Sequence, residues 1–259
     1  MNVVVCVKQI PDPADPGSLN PDHTLKRDGK LILDEADTYG VEMALQLVDK
    51  AGEGEVTLVS MAPNGEVSGL RQALAMGAAK AVLVSDEALA GAGALDTAKV
   101  LAAAIGTVGE FDLVLAGVES SDGYTGVVPE QIAALLDLPS VGFAKSVDIA
   151  DGTLKVQRQT EAGYDEVESP LPAVVTVTAG VVEPRYPSFK GIMAAKSKPV
   201  ENKTVADLGL DAANVGWAGA GQEIIDVAAA PEREAGEKIV DEGDAHEKIV
   251  AFLDGLKVL

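Results

Sequence analysis

The sequence contains few of the side chains from which most catalytic and metal sites are built. It has one cysteine, Cys6, and only two histidines, His23 and His246. A single cysteine excludes an intrachain disulfide and a zinc site made of several cysteines, and two histidines leave little material for histidine-centred catalysis. We therefore expect no metal site and no catalytic residues. Cys6 lies in the apolar run NVVVCV, where a small buried side chain is expected.

Basic residues are also scarce, with 20 Lys and Arg against 41 Asp and Glu and a formal net charge of −21. This balance argues against nucleic-acid binding, because phosphate contacts require an excess of Lys and Arg. No apolar run approaches the length of a membrane span, and the N-terminus lacks a basic segment followed by an apolar one. The sequence thus predicts a cytoplasmic protein without membrane insertion.

Aromatic residues make up only 3% of the chain, whereas hydrophobic residues make up 47%. A core of Val, Leu, Ile and Ala is typical of a buried parallel sheet covered by helices. Strand-like and helix-like segments alternate four times, which predicts an α/β fold with a doubly wound, Rossmann-like parallel sheet. The predicted strands are 2–10, 55–63, 80–86 and 111–120, and the predicted helices are 34–48 (or 37–48, with Gly52 as the stop), 65–78, 96–108 and 127–138.

The alternation changes from Pro139 onward. Residues 141–180 contain strand-like runs joined by Asp-Gly and Ala-Gly turns, which predicts an antiparallel extension and then an apolar strand, 173–179, that returns to the sheet. After Glu201 the chain offers little core material apart from a short helix at 245–256. We therefore expect an α/β domain over residues 1–200 and an extended C-terminal arm over residues 201–259 that gains order by packing on something else.

A ligand of an open α/β sheet binds outside the carboxyl ends of its strands. The fourth strand is followed by GVESSDGYTGVVPEQ, residues 117–131, which leads directly into a helix. Backbone amides at such a helix start can bind an anion without a basic side chain, and Gly123 and Gly126 would let the backbone approach a phosphate. The loop lacks both the Lys of a Walker loop and the GxGxxG spacing. An ordinary strand-to-helix turn is therefore the alternative to nucleotide binding.

Basic and large apolar residues are concentrated between Val181 and Glu201. We interpret this segment as a docking surface whose cations steer acidic partners. The alternatives are that Ile192 and Met193 pack onto the domain, that Lys196 and Lys198 form a solvated face, and that Arg185 only holds the loop. The cations are Arg185, Lys190, Lys196 and Lys198, and the apolar side chains are Tyr186, Phe189, Ile192 and Met193.

Several motifs together resemble one family over nearly the whole chain. They are VKQIPD, RQALAMGA, SDGYTGVVPEQIAALLDLP, LPAVVTV and EPRYPSFKGIMAAKSKPVE, with REAGEKIVDEG (residues 233–243) similar to the family's C-terminal tail. The chain resembles the β subunit of electron transfer flavoprotein, most closely the actinobacterial type. The resemblance implies an electron carrier without substrate turnover of its own, in a heterodimer with an α subunit on which the C-terminal arm would pack.

The resemblance also implies two cofactors: an FAD shared with, and mainly held by, the α subunit, and a structural AMP in the β subunit. In the electron-bifurcating type a second FAD takes the place of AMP. The segment Ile10 to Pro13 would form a wall near the shared flavin. The matching cofactor-binding positions are Cys6, Asp34, Asp37, Met61, Gly117, Asp122, Gly123, Thr125, Gly126, Val127 and Val128.

The sequence departs from the family pattern at three positions. Val127 and Pro129 replace a Gln and a Gly of the loop, which removes a side-chain amide and a backbone N–H. Both changes favour a monophosphate, AMP, over a dinucleotide. Gln159 replaces a Glu that the family commonly has, which would weaken an acidic contact with the partner near the flavin.

In the family, the segment 183–200 is a recognition loop, and Phe189 matches the apolar side chain that enters a pocket on the dehydrogenase. The implied function is to accept electrons from acyl-CoA dehydrogenases and related flavoprotein dehydrogenases and pass them to a membrane quinone oxidoreductase in fatty acid oxidation. The alternatives are a bifurcating β subunit with a second FAD and a non-redox adenine-nucleotide-binding protein. An adenylating ATP pyrophosphatase would need a Ser/Gly-rich loop after the first strand, where VKQIPDPADP has prolines and acids instead.

Overall fold

The computed structural model describes residues 1–15, 17–232, 235–236 and 238–259. Contacts within the chain divide it into two compact units, Met1–Ile224 and Ile225–Leu259. Three residues of the tail motif, at positions 233, 234 and 237, lie outside the described residues. None of the helices in the described ranges combines the length and the apolar character that a membrane span requires.

Eleven strands lie in the described part of the first unit. Their bounds are β1 (Asn2–Cys6), β2 (Gln9–Pro11), β3 (Leu31–Leu33), β4 (Glu55–Ala62), β5 (Lys80–Ser85), β6 (Leu113–Gly117), β7 (Ser140–Ala150), β8 (Thr153–Thr160), β9 (Gly163–Pro170), β10 (Ala173–Val177) and β11 (Val200–Lys203). Nine of them form one sheet in the order β11-β5-β4-β1-β6-β10-β7-β8-β9. The strands from β11 to β7 run parallel, and β8 and β9 are antiparallel. The predicted α/β class is confirmed.

Helices cover both faces of this sheet, and the residues of β1 show why. Val3 and Val5 pack into the core cluster shared with α1 and α2, whereas Val4 and Cys6 pack into the cluster shared with α3 and α4. Successive side chains of a strand point to opposite faces, so a strand buried on both sides reads as a continuous apolar run. The helices are α1 (Glu35–Ala51), α2 (Ser68–Met76), α3 (Ala94–Ile105), α4 (Val128–Leu135), α5 (Phe189–Ala195), α6 (Gly216–Gly219) and, in the second unit, α7 (Ala245–Gly255).

The signals at the ends of α1 act as the sequence predicts. Asp34 is the N-cap, and its side chain accepts a hydrogen bond from the Ala36 amide at 3.1 Å. Gly52 ends the helix in the left-handed region at φ 79°, where a residue without Cβ is favoured. The amide of Gly52 donates to the carbonyl of Val48. Of the two predicted starting residues, Asp34 is the one that caps the helix.

The antiparallel extension is also confirmed. Strands β7 and β8 are joined at Asp151 and Gly152, which both have positive φ (53° and 74°). Two central residues with positive φ match the right-handed twist of the flanking strands, which is why Asp-Gly favours a tight hairpin. Strand β10 then returns between β6 and β7, parallel to both.

The predicted first strand, residues 2–10, is divided in the structure. β1 ends at Cys6, and Gln9–Pro11 forms β2, which pairs antiparallel with β3. Between the two strands, the amide of Lys8 turns to donate to the Asp37 carboxylate at 2.6 Å. Because this amide donates to a buried side chain, it does not take part in the backbone hydrogen bonds between the parallel strands.

Residues 201–224, which the sequence assigns to the C-terminal arm, lie in the compact unit Met1–Ile224. β11 pairs with β5 as an edge strand of the sheet. Val205 and Val215 are buried in the core, and a Cβ on Gly216 would lie 1.9 Å from the Ala88 carbonyl oxygen. Small residues let this segment pack closely against backbone, which the Ala- and Gly-rich composition does not reveal.

The second unit contains α7, which matches the helix predicted at 245–256. No residue of α7 is buried. Large apolar side chains of this unit are exposed, among them Ile225, Val240, Phe252 and Leu259.

Candidate functional site

The carboxyl ends of β1, β4 and β6 meet at one edge of the sheet because these strands are parallel neighbours. Cys6 pairs with Val59 of β4, and Val5 pairs with Leu115 of β6. We call this edge, together with the loop 117–128, the candidate cleft. Among the predicted cofactor-binding residues, Cys6, Met61 and Gly117 lie at these strand ends.

Cys6 is a buried free cysteine. Burial raises the pKa of its thiol to about 12, and the nearby Asp37 charge acts in the same direction. The thiol is therefore protonated at neutral pH and is not a nucleophile. Cys6 can serve the cleft only through its backbone and its packing.

Asp34 connects the first helix with the loop after β6. In addition to capping α1, its carboxylate accepts from the Ser121 amide at 2.7 Å and from the Ser121 hydroxyl at 3.1 Å. Asp34 is fully buried. Its carboxylate accepts three hydrogen bonds from within the chain, and the two from Ser121 connect the start of α1 with the loop after β6.

Asp37 lies one turn further along α1 and is also buried. Burial, together with the charge of Asp34, raises the pKa of its carboxyl to about 8 against the opposing hydrogen bonds from the Lys8 and Gly117 amides. The side chain is thus mostly protonated at neutral pH. A Cβ on Gly117 would lie 3.3 Å from an Asp37 oxygen and 3.2 Å from the Ala36 Cβ, so the start of α1 packs tightly on the end of β6.

Asp122 is held by two cations. Its carboxylate pairs with Lys8 Nζ at 2.6 Å and with the guanidinium of Arg27, and only 7% of its side chain is exposed. Burial alone would raise the pKa of Asp122, but the Lys8 charge and hydrogen bond, together with those of Arg27, hold it below its usual value. Lys8 also donates to the Ser120 hydroxyl at 3.0 Å.

Sequence reasoning missed Lys8 and Arg27. Lys8 is part of the quoted motif VKQIPD, and its place just after β1 was the available signal. Arg27 lies in the irregular segment between β2 and β3, and no local pattern connects it with Asp122, which is 95 residues away in sequence.

The loop 122–128 presents backbone N–H groups. Gly126 has φ 62°, which favours glycine, and a Cβ on Gly123 would lie 3.0 Å from the Ser120 hydroxyl oxygen. In the described part of the chain, the amides of Thr125, Gly126, Val127 and Val128 donate to no other group. They lead into α4, whose N-cap residue Val127 makes no side-chain cap bond. Free amides at a helix start suit a phosphate group, so the residues present fit the phosphate of a nucleotide.

The predicted docking residues differ in how they are placed. Tyr186 and Phe189 are the most exposed, with 93% and 81% of their surface accessible, and Ile192 and Met193 are about half exposed. Ser188 caps the short helix α5 by accepting from the Gly191 amide at 3.0 Å. Four large apolar side chains in one short segment therefore face solvent.

Two of the segment's cations face the protein. Arg185 donates to Glu42 of α1 through Nε at 2.7 Å and through Nη2 at 3.1 Å. Lys198 donates to the carbonyls of Leu74 and Ala78 at 2.8 and 2.7 Å, and burial lowers its pKa. These contacts match the holding role that the sequence left open for Arg185. The solvated face considered for Lys198 is not observed.

The residues predicted to lie near the flavin, 10–13 and Gln159, differ in exposure. Ile10 is only 2% exposed, so its side chain faces the interior; Pro11 and Asp12 are partly exposed and Pro13 is exposed. Of the wall predicted at residues 10–13, only the last three can meet a partner. Gln159 is exposed on β8, opposite Tyr164 of β9.

Comparison with known proteins agrees with this arrangement. Residues 22–208 match the family profile described as "Electron transfer flavoprotein domain". The chain belongs to the electron transfer flavoprotein family. It is 40% identical to the electron transfer flavoprotein subunit beta of Mycobacterium leprae over 264 residues, covering 100% of this chain and 99% of the relative.

Other relatives carry the same name. The electron transfer flavoprotein subunit beta of Mycobacterium tuberculosis (strain H37Rv) is 40% identical with the same coverage. That of Megasphaera elsdenii is 34% identical over 257 residues, covering 96% of this chain and 95% of the relative. The resemblance read from the motifs is therefore confirmed: the chain is an electron transfer flavoprotein β subunit, an electron carrier component whose name implies an α-subunit partner.

Proposed function

We propose that this β subunit forms a heterodimer with an α subunit, shares an FAD held mainly by that subunit, and binds AMP as a structural ligand. In this function the flavin accepts electrons from acyl-CoA dehydrogenases and related flavoprotein dehydrogenases, and a membrane quinone oxidoreductase receives them. Membership of the flavoprotein family supports the redox role. The observation that carries the finer proposal is the presence, in one compact unit, of the candidate cleft and the solvent-facing apolar segment 183–200.

AMP is the ligand that the loop supports best. Pro129 lies near the start of α4 and has no N–H, and Val127 has no side-chain amide. The donors that remain are the free backbone amides of residues 125–128, which suit a single phosphate. Asp34 and Asp122 accept bonds from within the chain, so they position this loop and do not bind the ligand's phosphate themselves.

A second FAD in place of AMP, as in a bifurcating β subunit, is the second candidate for this cleft. It would require donors for a second phosphate group. Lys8 and Arg27 contact the loop, but both pair with Asp122. The arrangement therefore favours the monophosphate.

A non-redox adenine-nucleotide-binding protein is the third reading. It accounts for the cleft, but not for the exposure of Tyr186 and Phe189, because large aromatic side chains are normally exposed together where a partner covers them. The docking function gives these side chains a role. Phe189, at the start of α5, would be the central anchor in a dehydrogenase pocket.

The segment 225–259 would serve assembly. Its large apolar side chains are exposed, and no residue of α7 is buried. An amphipathic helix without core contacts gains stability from a partner. We assign this segment to packing on the α subunit, as the C-terminal arm.

In this mechanism the chain breaks no bond in a substrate, and its role is to position the partner proteins. Bound FAD supplies the electron chemistry itself. The part of this chain is to hold the docking segment on a rigid sheet, to admit the donor's surface, and to present residues 11–13 near the heterodimer interface. Electron relay requires no general acid or base on this chain.

Expression with and without the α subunit tests the assignment. The chain expressed alone is expected to be colourless, and the chain co-expressed with its α subunit is expected to yield a yellow complex that a dehydrogenase and its substrate reduce. A stable yellow chain in the absence of the partner would contradict the shared-flavin proposal.

A further inference from the structure

The guanidinium of Arg185 is directed toward two carboxylates of α1, although 38% of its side chain remains exposed. Glu42, whose side chain is only 4% exposed, accepts from Arg185 at three positions: the backbone N at 3.2 Å, Nε at 2.7 Å and Nη2 at 3.1 Å. Asp49 lies two helical turns further along α1, and its carboxylate accepts a hydrogen bond from Nη2 of Arg185 at 3.2 Å. A planar guanidinium that binds a carboxylate through two nitrogens has a fixed orientation, which a Lys could not provide.

Arg185 is therefore a poor steering charge. Two carboxylates surround its single positive charge, so the group as a whole is negative. Lys190 and Lys196 are exposed and, among the described residues, pair with no acid. They are the cations of this segment that can attract an acidic partner over a distance.

The other end of the segment is held as firmly. Arg71 of α2 donates through Nη1 to the carbonyls of Ala195 and Lys198, at 2.6 and 2.8 Å. Lys198 in turn donates to two carbonyls at the end of α2. A Cβ on Gly191 would lie 2.5 Å from the Ala75 carbonyl oxygen, so α5 approaches α2 closely.

The exposed apolar side chains lie between these two anchor points. Few apolar contacts hold them, because most of α5 faces solvent and only Ala195 is buried. The conformation of residues 186–194 therefore depends on polar bonds at the ends. A loop that is fixed before binding loses less conformational entropy when it docks.

We propose that Arg185 is a positioning residue for docking: its bonds to Glu42 of α1 hold the segment 183–200 in the conformation that presents Phe189 to the donor dehydrogenase. This proposal rests on the docking function proposed above. It assigns no partner contact to Arg185. It makes Glu42, a residue 143 positions away in sequence and buried in α1, necessary for the same step.

The Glu42→Gln variant separates positioning from steering, because it removes the carboxylate and leaves the charge of Arg185 in place. The experiment uses the full heterodimer with a flavoprotein dehydrogenase as donor and measures kcat and the KM for the heterodimer at several salt concentrations. We expect Glu42→Gln and Arg185→Gln each to raise KM about tenfold. We expect kcat to change less than about twofold. Because the two variants change the local charge in opposite directions, a rise of KM in both cannot come from steering.

Three further variants make the result interpretable. Arg185→Lys keeps the charge but loses the two-nitrogen bond, so positioning predicts a raised KM and steering predicts a normal one. Asp49→Asn removes only the exposed acid and is the matched control, with little change expected. Lys190→Gln is expected to weaken the salt dependence. If Glu42→Gln does not yield soluble protein, Arg185→Lys decides the question in the same assay.

A KM that rises in Arg185→Gln but stays normal in both Glu42→Gln and Arg185→Lys would overturn the proposal and make Arg185 a partner contact. Amide hydrogen exchange in residues 186–195 gives a readout independent of docking: positioning predicts faster exchange in Glu42→Gln and in Arg185→Gln, and unchanged exchange would also overturn it. If Phe189→Ala leaves KM unchanged while exchange is faster in the Arg185 variant, the docking function fails and the structural role of Arg185 stands.

Discussion

The carboxylate of Asp34 accepts hydrogen bonds from both the backbone amide and the hydroxyl of Ser121, at 2.7 and 3.1 Å, although the two residues are 87 positions apart in sequence. The same side chain caps α1. The start of α1 and the loop after β6 are therefore fixed to each other by one buried acid. The loop's free amides lead into α4 from this fixed point.

Asp34→Ala is expected to lower the free energy of unfolding by about 1–3 kcal/mol, since the helix loses its cap and the Ser121 amide loses its charged acceptor. Ser121→Ala is the matched variant, because it removes only the hydroxyl bond and should cost less than about 1 kcal/mol. Urea unfolding of the two purified variants measures the difference. Equal losses would show that the amide bond does not hold the loop.

Asp37 is expected to make the protein less stable as the pH rises toward 8. Its folded-state pKa is raised to about 8, so the stability it contributes is fully present below its unfolded pKa and is lost as the pH rises through the folded pKa. The contribution falls by about 1.4 kcal/mol per pH unit between these values. Asp37→Asn resembles the protonated side chain and should remove this slope in unfolding free energies measured from pH 5 to pH 8. The same slope in wild type and variant would place the titration elsewhere.

Asp122, in contrast to Asp37, is expected to make the protein less stable as the pH falls. Its folded-state pKa is lowered, so its contribution is present above its unfolded pKa and is lost as the pH falls through the folded value. Asp122→Asn should reduce stability by about 1–2 kcal/mol at pH 7, with a smaller difference below about pH 4. The control is Asp165→Asn, which breaks an exposed pair with Arg158 and should cost less than about 1 kcal/mol. An Asp122 variant as stable as this control at pH 7 would contradict the account.

Phe189→Ala is expected to raise the KM for a donor dehydrogenase about 30-fold, as for a central anchor residue, while the flavin content of the complex stays the same. The measurement is the rate of flavin reduction as a function of heterodimer concentration. Leu95→Ala is a suitable control, because Leu95 is also an exposed apolar side chain but lies on α3, outside the docking segment. An unchanged KM for Phe189→Ala would remove the anchor role.

The sequence predicts the architecture well because its signals are local. The apolar run of β1, the Asp34 cap, the Gly52 stop and the Asp-Gly turn at 151–152 each fix a short element through the chemistry of a few neighbouring residues. The regular alternation of such elements then leaves the parallel sheet as the arrangement that buries them. These predictions are confirmed.

The roles of individual polar residues could not be predicted in the same way. Charge and position in the sequence do not reveal the contacts of Arg185 and Lys198, because their partners, Glu42 and the carbonyls at the end of α2, are more than 100 residues away. Lys8 and Arg27 were missed because the sequence shows no relation between them and Asp122. The packing of residues 201–224 within the first unit has no local signal either, because small residues such as Gly216 pack closely without an apolar side chain.

Ligand analysis of the co-purified heterodimer tests the central claim most directly. Release by denaturation, followed by chromatography and mass spectrometry, counts the nucleotides bound per heterodimer. The account predicts one FAD and one AMP. Two FAD and no AMP would assign the cleft to a second flavin, and a complex without any adenine nucleotide beyond the shared FAD would contradict the assignment of the cleft itself.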